Sequence, residues 1–151
     1  MHIRHLIGTA VAVLFTSSAL AQELVITDAW VRSLPPVQKV TAGYLSITNA
    51  SWDPVEIVGG TAELATKVEI HRTVEVNGMM RMEPVPSLKI ASGDVANLEP
   101  GGAHLMLLGL ERMPLPGERI EVCVTTAAGD STCAQALVRR EAPGDHDHSH
   151  H

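Results

Sequence analysis

The chain has 151 residues, 17 of them acidic and 11 basic, for a formal charge of −6, and only 3% of it is aromatic. An acidic balance without a basic stripe excludes nucleic acid as a partner, and it attracts cations without defining a site for any of them. The length suits one domain of ordinary size.

The first element is a leader. Arg4 precedes an apolar run from Leu6 to Phe15, and small residues follow as far as Ala19-Leu20-Ala21. That is the pattern of an export signal, residues 1–21, with an A-x-A cleavage site. The run falls short of the roughly 20 apolar residues that span a bilayer, so no stable membrane insertion is expected. Cleavage after Ala21 leaves ten basic and seventeen acidic residues in an exported chain that starts at Gln22.

From Leu24 onward, short β-branched and alternating segments are broken by Pro, Gly and Asn. Strands are expected at Leu24–Arg32, Ala42–Thr48, Pro54–Gly59, Lys67–Val76, Met79–Val85, Val95–Leu98, Ala103–Leu108, Glu118–Thr125 and Thr132–Arg139. No segment carries a sustained helical stripe. The pattern is that of a single all-β sandwich or barrel over residues 22–140. Asn77-Gly78 is the strongest hairpin signal, because both central positions of such a turn need positive φ.

Strand alternation sorts the side chains. In Lys67–Glu75, Val68, Ile70 and Val74 share one face, while Glu69, His71 and Thr73 share the other. If Asn77-Gly78 is a two-residue turn, Met82 lies opposite Thr73 and diagonal to His71 on the same face; a three-residue turn would reverse that parity. Met80 shares the face of Met82, as an auxiliary thioether, and Met79 does not. Further on, Leu105 and Leu107 suit the core, which sends His104 and Met106 out of the other side as an i, i+2 pair able to chelate one ion. Met79 and Met113 read as packing residues, and Trp30, Tyr44 and Trp52 as core or loop packing. Glu69 can orient the His71 ring, although a solvated carboxylate is the plainer reading.

Cys123 and Cys133 are the only cysteines. In an oxidising compartment such a pair defaults to a disulfide. Both lie five residues from Ala128 in a turn segment, so a hairpin centred there sets them opposite one another. Their spacing is not the C-x-x-C of a redox motif. Beyond Glu141, the end of the chain is polar and rich in histidine, as expected of a disordered tail over 141–151. Its His146, His148, His150 and His151 favour Cu(II) under the affinity order for divalent metals.

His71 and His104 are the only histidines between leader and tail, and with two methionines they form His71-x10-Met82-x21-His104-x-Met106. Thioether sulfur is soft and selects Cu(I), and imidazole suits copper among several metals. Thioether has no proton to lose and imidazole is mostly neutral at pH 7, so binding releases few protons. Taken singly, each methionine is a flexible core filler and His104 a polar surface residue. Four together on non-core faces favour a metal site. A blue-copper centre needs a His2Cys set, and no histidine follows either cysteine before the tail. Catalytic zinc usually takes three protein ligands drawn from His and carboxylate, plus a water, against two domain histidines here, so no enzyme is expected.

The ligand pattern resembles that of the periplasmic copper chaperones called PCu(A)C in every position and both long spacings. The resemblance extends over Asp28-Ala-Trp30-Val-Arg32, Tyr44-Leu-Ser-Ile-Thr-Asn49, Val68-Glu-Ile-His71 and the highly specific Pro100-Gly-Gly-Ala-His104-Leu-Met106-Leu-Leu-Gly-Leu110. It implies a cupredoxin-like β-sandwich or barrel of Greek-key type, with Cu(I) held near the surface by His71, Met82, His104 and Met106. It also implies a periplasmic metallochaperone that supplies the CuA domain of cytochrome c oxidase subunit II alongside Sco-type proteins. Periplasmic copper sequestration or resistance is the alternative that shares the same site. The cysteine pair and the histidine tail are not general in that family.

Overall fold

The computed structural model describes residues 23–141; the expected leader and the tail histidines His146, His148, His150 and His151 lie outside them. Ten strands form in chain order: β1 Leu24–Arg32, β2 Val40–Asn49, β3 Val55–Ala62, β4 Lys67–Val76, β5 Met79–Pro84, β6 Leu88–Ile90, β7 Val95–Leu98, β8 Ala103–Leu108, β9 Arg119–Thr126 and β10 Ser131–Arg139. There is no helix among the described residues. The domain is all-β and cupredoxin-like, as expected. Four strands have the expected bounds, and β6 is an addition to the expected set.

Seven strands close a ring. β4 pairs with β8, β8 with β2, β2 with β1, β1 with β10, β10 with β9 and β9 with β3, and β3 returns to β4 through Gly60 and Val68. Only β1 and β10 run parallel. The remaining strands hang on the ring: β5 on β4, β6 on β3, β7 on β2. Closure depends on Gly60, where a Cβ would sit 2.1 Å from the Cys123 carbonyl oxygen of β9. Any side chain there would push β9 away from β3.

Alternation fills the ring with one face of each strand. Leu105 and Leu107 of β8, Val68 and Ile70 of β4, Ile47 of β2 and Val122 and Val124 of β9 meet in one buried cluster, with Met113 packed into it. Each such side chain contributes about 1.5–3 kcal/mol by leaving water. A second, smaller cluster of Trp30, Ala42 and Tyr44 is separate from that core.

The Cys123–Cys133 disulfide is formed, and the two residues are direct partners in the β9–β10 ladder. The Asn77-Gly78 turn has φ of 53° and 76° at its two central residues. It pairs His71 with Pro84 and Thr73 with Met82. This is the two-residue register, so Met82 is on the face of His71.

Candidate metal centre

The centre lies on the outer surface of three neighbouring strands, β5, β4 and β8. Ladder register brings it together: His71 is directly opposite His104, and Glu69 is opposite Met106. The two imidazole centroids are 6.2 Å apart with their planes tilted by 41°. Met82 joins from β5 across Thr73. Candidate ligands from three separate stretches of sequence thus share one face, because a strand's odd and even side chains never mix.

Each imidazole has one nitrogen engaged and one free. His71 Nε2 donates to Glu69 Oε2 at 2.8 Å, and His104 Nδ1 donates to the Gly102 carbonyl at 3.1 Å. That leaves His71 Nδ1 and His104 Nε2, both buried and both without a protein partner. A buried acceptor left unsatisfied costs about 1–3 kcal/mol. Two such lone pairs on one face with two thioethers form a donor set suited to a soft cation. Outer hydrogen bonds of this kind fix which nitrogen faces a metal and how the ring is turned.

Glu69 is therefore not simply a solvated carboxylate. It binds both His71 and Lys67, and those contacts, the His71 hydrogen bond foremost, hold its carboxyl below the usual range. His104 is also more enclosed than a surface histidine, with 2% of its area exposed. It does leave the core-facing side of β8, as alternation requires, but cross-strand neighbours then cover it. His71 flanks it on β4, and Tyr44 of β2 lies on the other side, with ring centroids 6.3 Å apart. Tyr44 in turn stacks on its ladder partner Trp30 at 4.4 Å, and the Arg32 guanidinium sits over both rings at 5.6–5.8 Å. A lateral row, His71–His104–Tyr44–Trp30, crosses four strands.

Burial has consequences for charge along this row. It pushes the His104 pKa below the ordinary imidazole value, against the Gly102 hydrogen bond that raises it. It pushes the Tyr44 phenol up, against the opposing charge of Arg32. The aromatic pair that flanks His104 is not legible in the sequence as part of the site, because the β2–β8 register is not written in any local motif.

The four candidate ligands differ in access. His104 is enclosed and Met106 half-buried, whereas Met82 is 57% exposed. Met79, expected to pack, is 56% exposed, while Met113 is buried as expected. Trp52 stands almost wholly in solvent and takes no part. Elsewhere among the described residues, Glu121 lies beside Cys123 and Cys133, whose sulfurs are already joined.

The closed β ring is that of the PCu(A)C type of cupredoxin-like domain, and solved structures agree on this fold. The copper-bound PCuAC domain from PmoF2 superposes with a TM-score of 0.62 over 80% of this chain and 93% of that domain, at 18% identity, which speaks for the fold. DR1885 of Deinococcus radiodurans, solved in solution as its Cu(I) form, is 33% identical over 85% of each chain with a TM-score of 0.62. The "Putative lipoprotein Lxx21020" of Leifsonia xyli subsp. xyli is 29% identical over 118 residues, 78% of this chain and 70% of that one. The family described as "LpqE-like: Putative lipoprotein LpqE-like" matches residues 24–138. The chain belongs to the LpqE-like family and, with it, to the PCu(A)C proteins.

Proposed function

We propose that this protein is a non-enzymatic copper carrier of the periplasm that binds Cu(I) as cargo through His71 Nδ1, His104 Nε2 and the sulfurs of Met82 and Met106. The observation that carries the reading is the pair of buried, unpartnered imidazole nitrogens on one face with both thioethers. A soft, monovalent ion satisfies those lone pairs without displacing a proton. The likeness to DR1885, solved as a Cu(I) form, supports the choice of metal. The export-type leader supports the compartment.

The site is graded from enclosed to open, which suits transfer. An acceptor's ligand can approach from the side of the exposed Met82 while both imidazoles still hold the ion. The acceptor we propose is the CuA domain of cytochrome c oxidase subunit II, with Sco-type proteins as partners in the same assembly. Mixing the Cu(I)-loaded protein with an apo CuA domain and following the metal by size separation tests this. Movement of copper to the CuA domain supports delivery; full retention against an acceptor of higher affinity makes the protein a sequestering one.

The histidines at 146, 148, 150 and 151 are proposed to capture Cu(II), which enters the Cu(I) site once an external one-electron reductant, such as a small-molecule thiol oxidised to its disulfide, has reduced it. Deletion of residues 144–151 is expected to lower Cu(II) stoichiometry while leaving Cu(I) stoichiometry at one. Unchanged Cu(II) uptake would remove the tail from copper handling.

A further inference from the structure

The chain has six methionines, and three of them stand on the six-residue strand β5. All three are exposed, at 56% for Met79, 64% for Met80 and 57% for Met82. Methionine is ordinarily a filler of irregular core space, and Met113 is used that way here. In water it gains nothing from burial, so its remaining asset is a soft sulfur. Met82 is accounted for by the four-ligand site. Met80 is not.

Met80 precedes Met82 by two residues, so both side chains leave the same face of β5. This is the spacing by which His104 and Met106 share an ion on β8. The Cα atoms of such a pair are about 7 Å apart, within convergence range of two long, unbranched side chains. Glu75 is the direct ladder partner of Met80, which puts a carboxylate beside the sulfur and raises the local concentration of cations. Arg81, between the two methionines, leaves by the opposite face, across from Val74. On β4, the partner of Met80 is four residues beyond His71, or about 13 Å along the strand, so Met80 cannot complete the four-ligand site itself. It can only act before or after it.

We propose that Met80 and Met82 form a two-thioether capture station for Cu(I) at the outer end of the β4–β5 hairpin, with Met82 belonging to both the station and the main site. This rests on reading the main site as a Cu(I) carrier. The ion first binds the two sulfurs. The Met80 sulfur–copper bond then breaks as bonds form to His71 Nδ1, His104 Nε2 and the Met106 sulfur, while Met82 keeps hold throughout. Copper stays monovalent, the thioethers carry no proton to displace, and the two nitrogens have no protein partner to give up. Release follows the same steps in reverse.

The test uses the full chain under anaerobic conditions and a chromogenic Cu(I) chelator as donor in stopped flow. Met80→Leu is expected to slow uptake and release several-fold alike, and Met79→Leu, on the opposite face, to change neither. Equal rates for wild type and Met80→Leu, or equal slowing by Met79→Leu, would overturn the station. A second arm follows methionine methyl resonances during Cu(I) titration of His71→Asn, which cripples the main site. There the Met80 and Met82 methyls should shift together, and a stationary Met80 would also overturn the proposal. Failure of the wild-type protein to bind Cu(I) takes down the four-ligand reading and the station with it, whereas wild-type binding with an unchanged Met80→Leu rate removes the station alone.

Discussion

Two of the antiparallel hairpins in the fold have opposite fates. In β9–β10 both strands are inside the ring, β9 against β3 and β10 against β1, and a disulfide ties them together. In β4–β5 only β4 belongs to the ring; β5 has a partner on one side and every residue exposed. The unpaired edge of a strand invites other chains, and Arg81, Glu83 and Pro84 are the kinds of residue that discourage such pairing. The difference separates two tasks. One hairpin holds the barrel shut, and the other presents thioether sulfurs to solvent.

If the tasks are separate, a substitution in one hairpin should move one property and spare the other. Met82→Leu keeps volume and changes an exposed position, so stability should stay within about 0.5 kcal/mol. Cu(I) affinity should fall by more than the roughly 10–100-fold that outer-shell changes cost at metal sites. Met106→Leu, from the neighbouring β8, should do the same to copper. Competition with a Cu(I) chelator, alongside urea unfolding, measures both quantities. Unchanged affinity in both variants would take the thioethers out of the site.

The converse substitution falls in the other hairpin. The Cys123 and Cys133 sulfurs close a loop with a sequence separation of 10, and replacing both by Ser should cost about 2–3 kcal/mol in a chain-entropy account. Copper affinity should not follow, because neither cysteine contacts the β5–β4–β8 face. A stability loss accompanied by an equal loss of Cu(I) binding would mean that the two hairpins are not independent.

Much of this division is legible in the sequence, and the reason is local. Asn77-Gly78 fixes a two-residue turn, and a two-residue turn fixes parity, so the side of β5 that holds Met82 follows from two residues. The cysteine pair sets its own register by the same logic. What is not legible depends on distant pairings. The enclosure of His104 comes from Tyr44 of β2 and His71 of β4, which become its neighbours only when β8 pairs with both strands. Gly59-Gly60 reads as a strand end, yet β3 continues to Ala62, because the second glycine is what lets β9 come close. β6 is three residues long and follows Pro86, too little for a pattern to register.

His104 offers a gentler probe of the same face, through pH. Burial holds its pKa below the ordinary imidazole value, against the Gly102 hydrogen bond and with the charge of His71 adding to the effect. In the unfolded chain it takes up a proton at about 6.5. The unfolded state therefore binds more protons as pH falls past that value, and stability declines with it. The sign is that of a depressed pKa: the contribution is fully present above about 6.5 and is lost as pH falls through the lower folded value. Glu69 and Glu118 are also depressed, but their losses begin only below their ordinary value of 4.5. Urea midpoints of the metal-free protein at pH 7.5 and 5.5 thus report on imidazole and not on these carboxylates. A lower midpoint at pH 5.5, flattened in His104→Gln, is the expected result. Equal midpoints in the wild type would mean that His104 meets solvent far more freely than its 2% exposure implies.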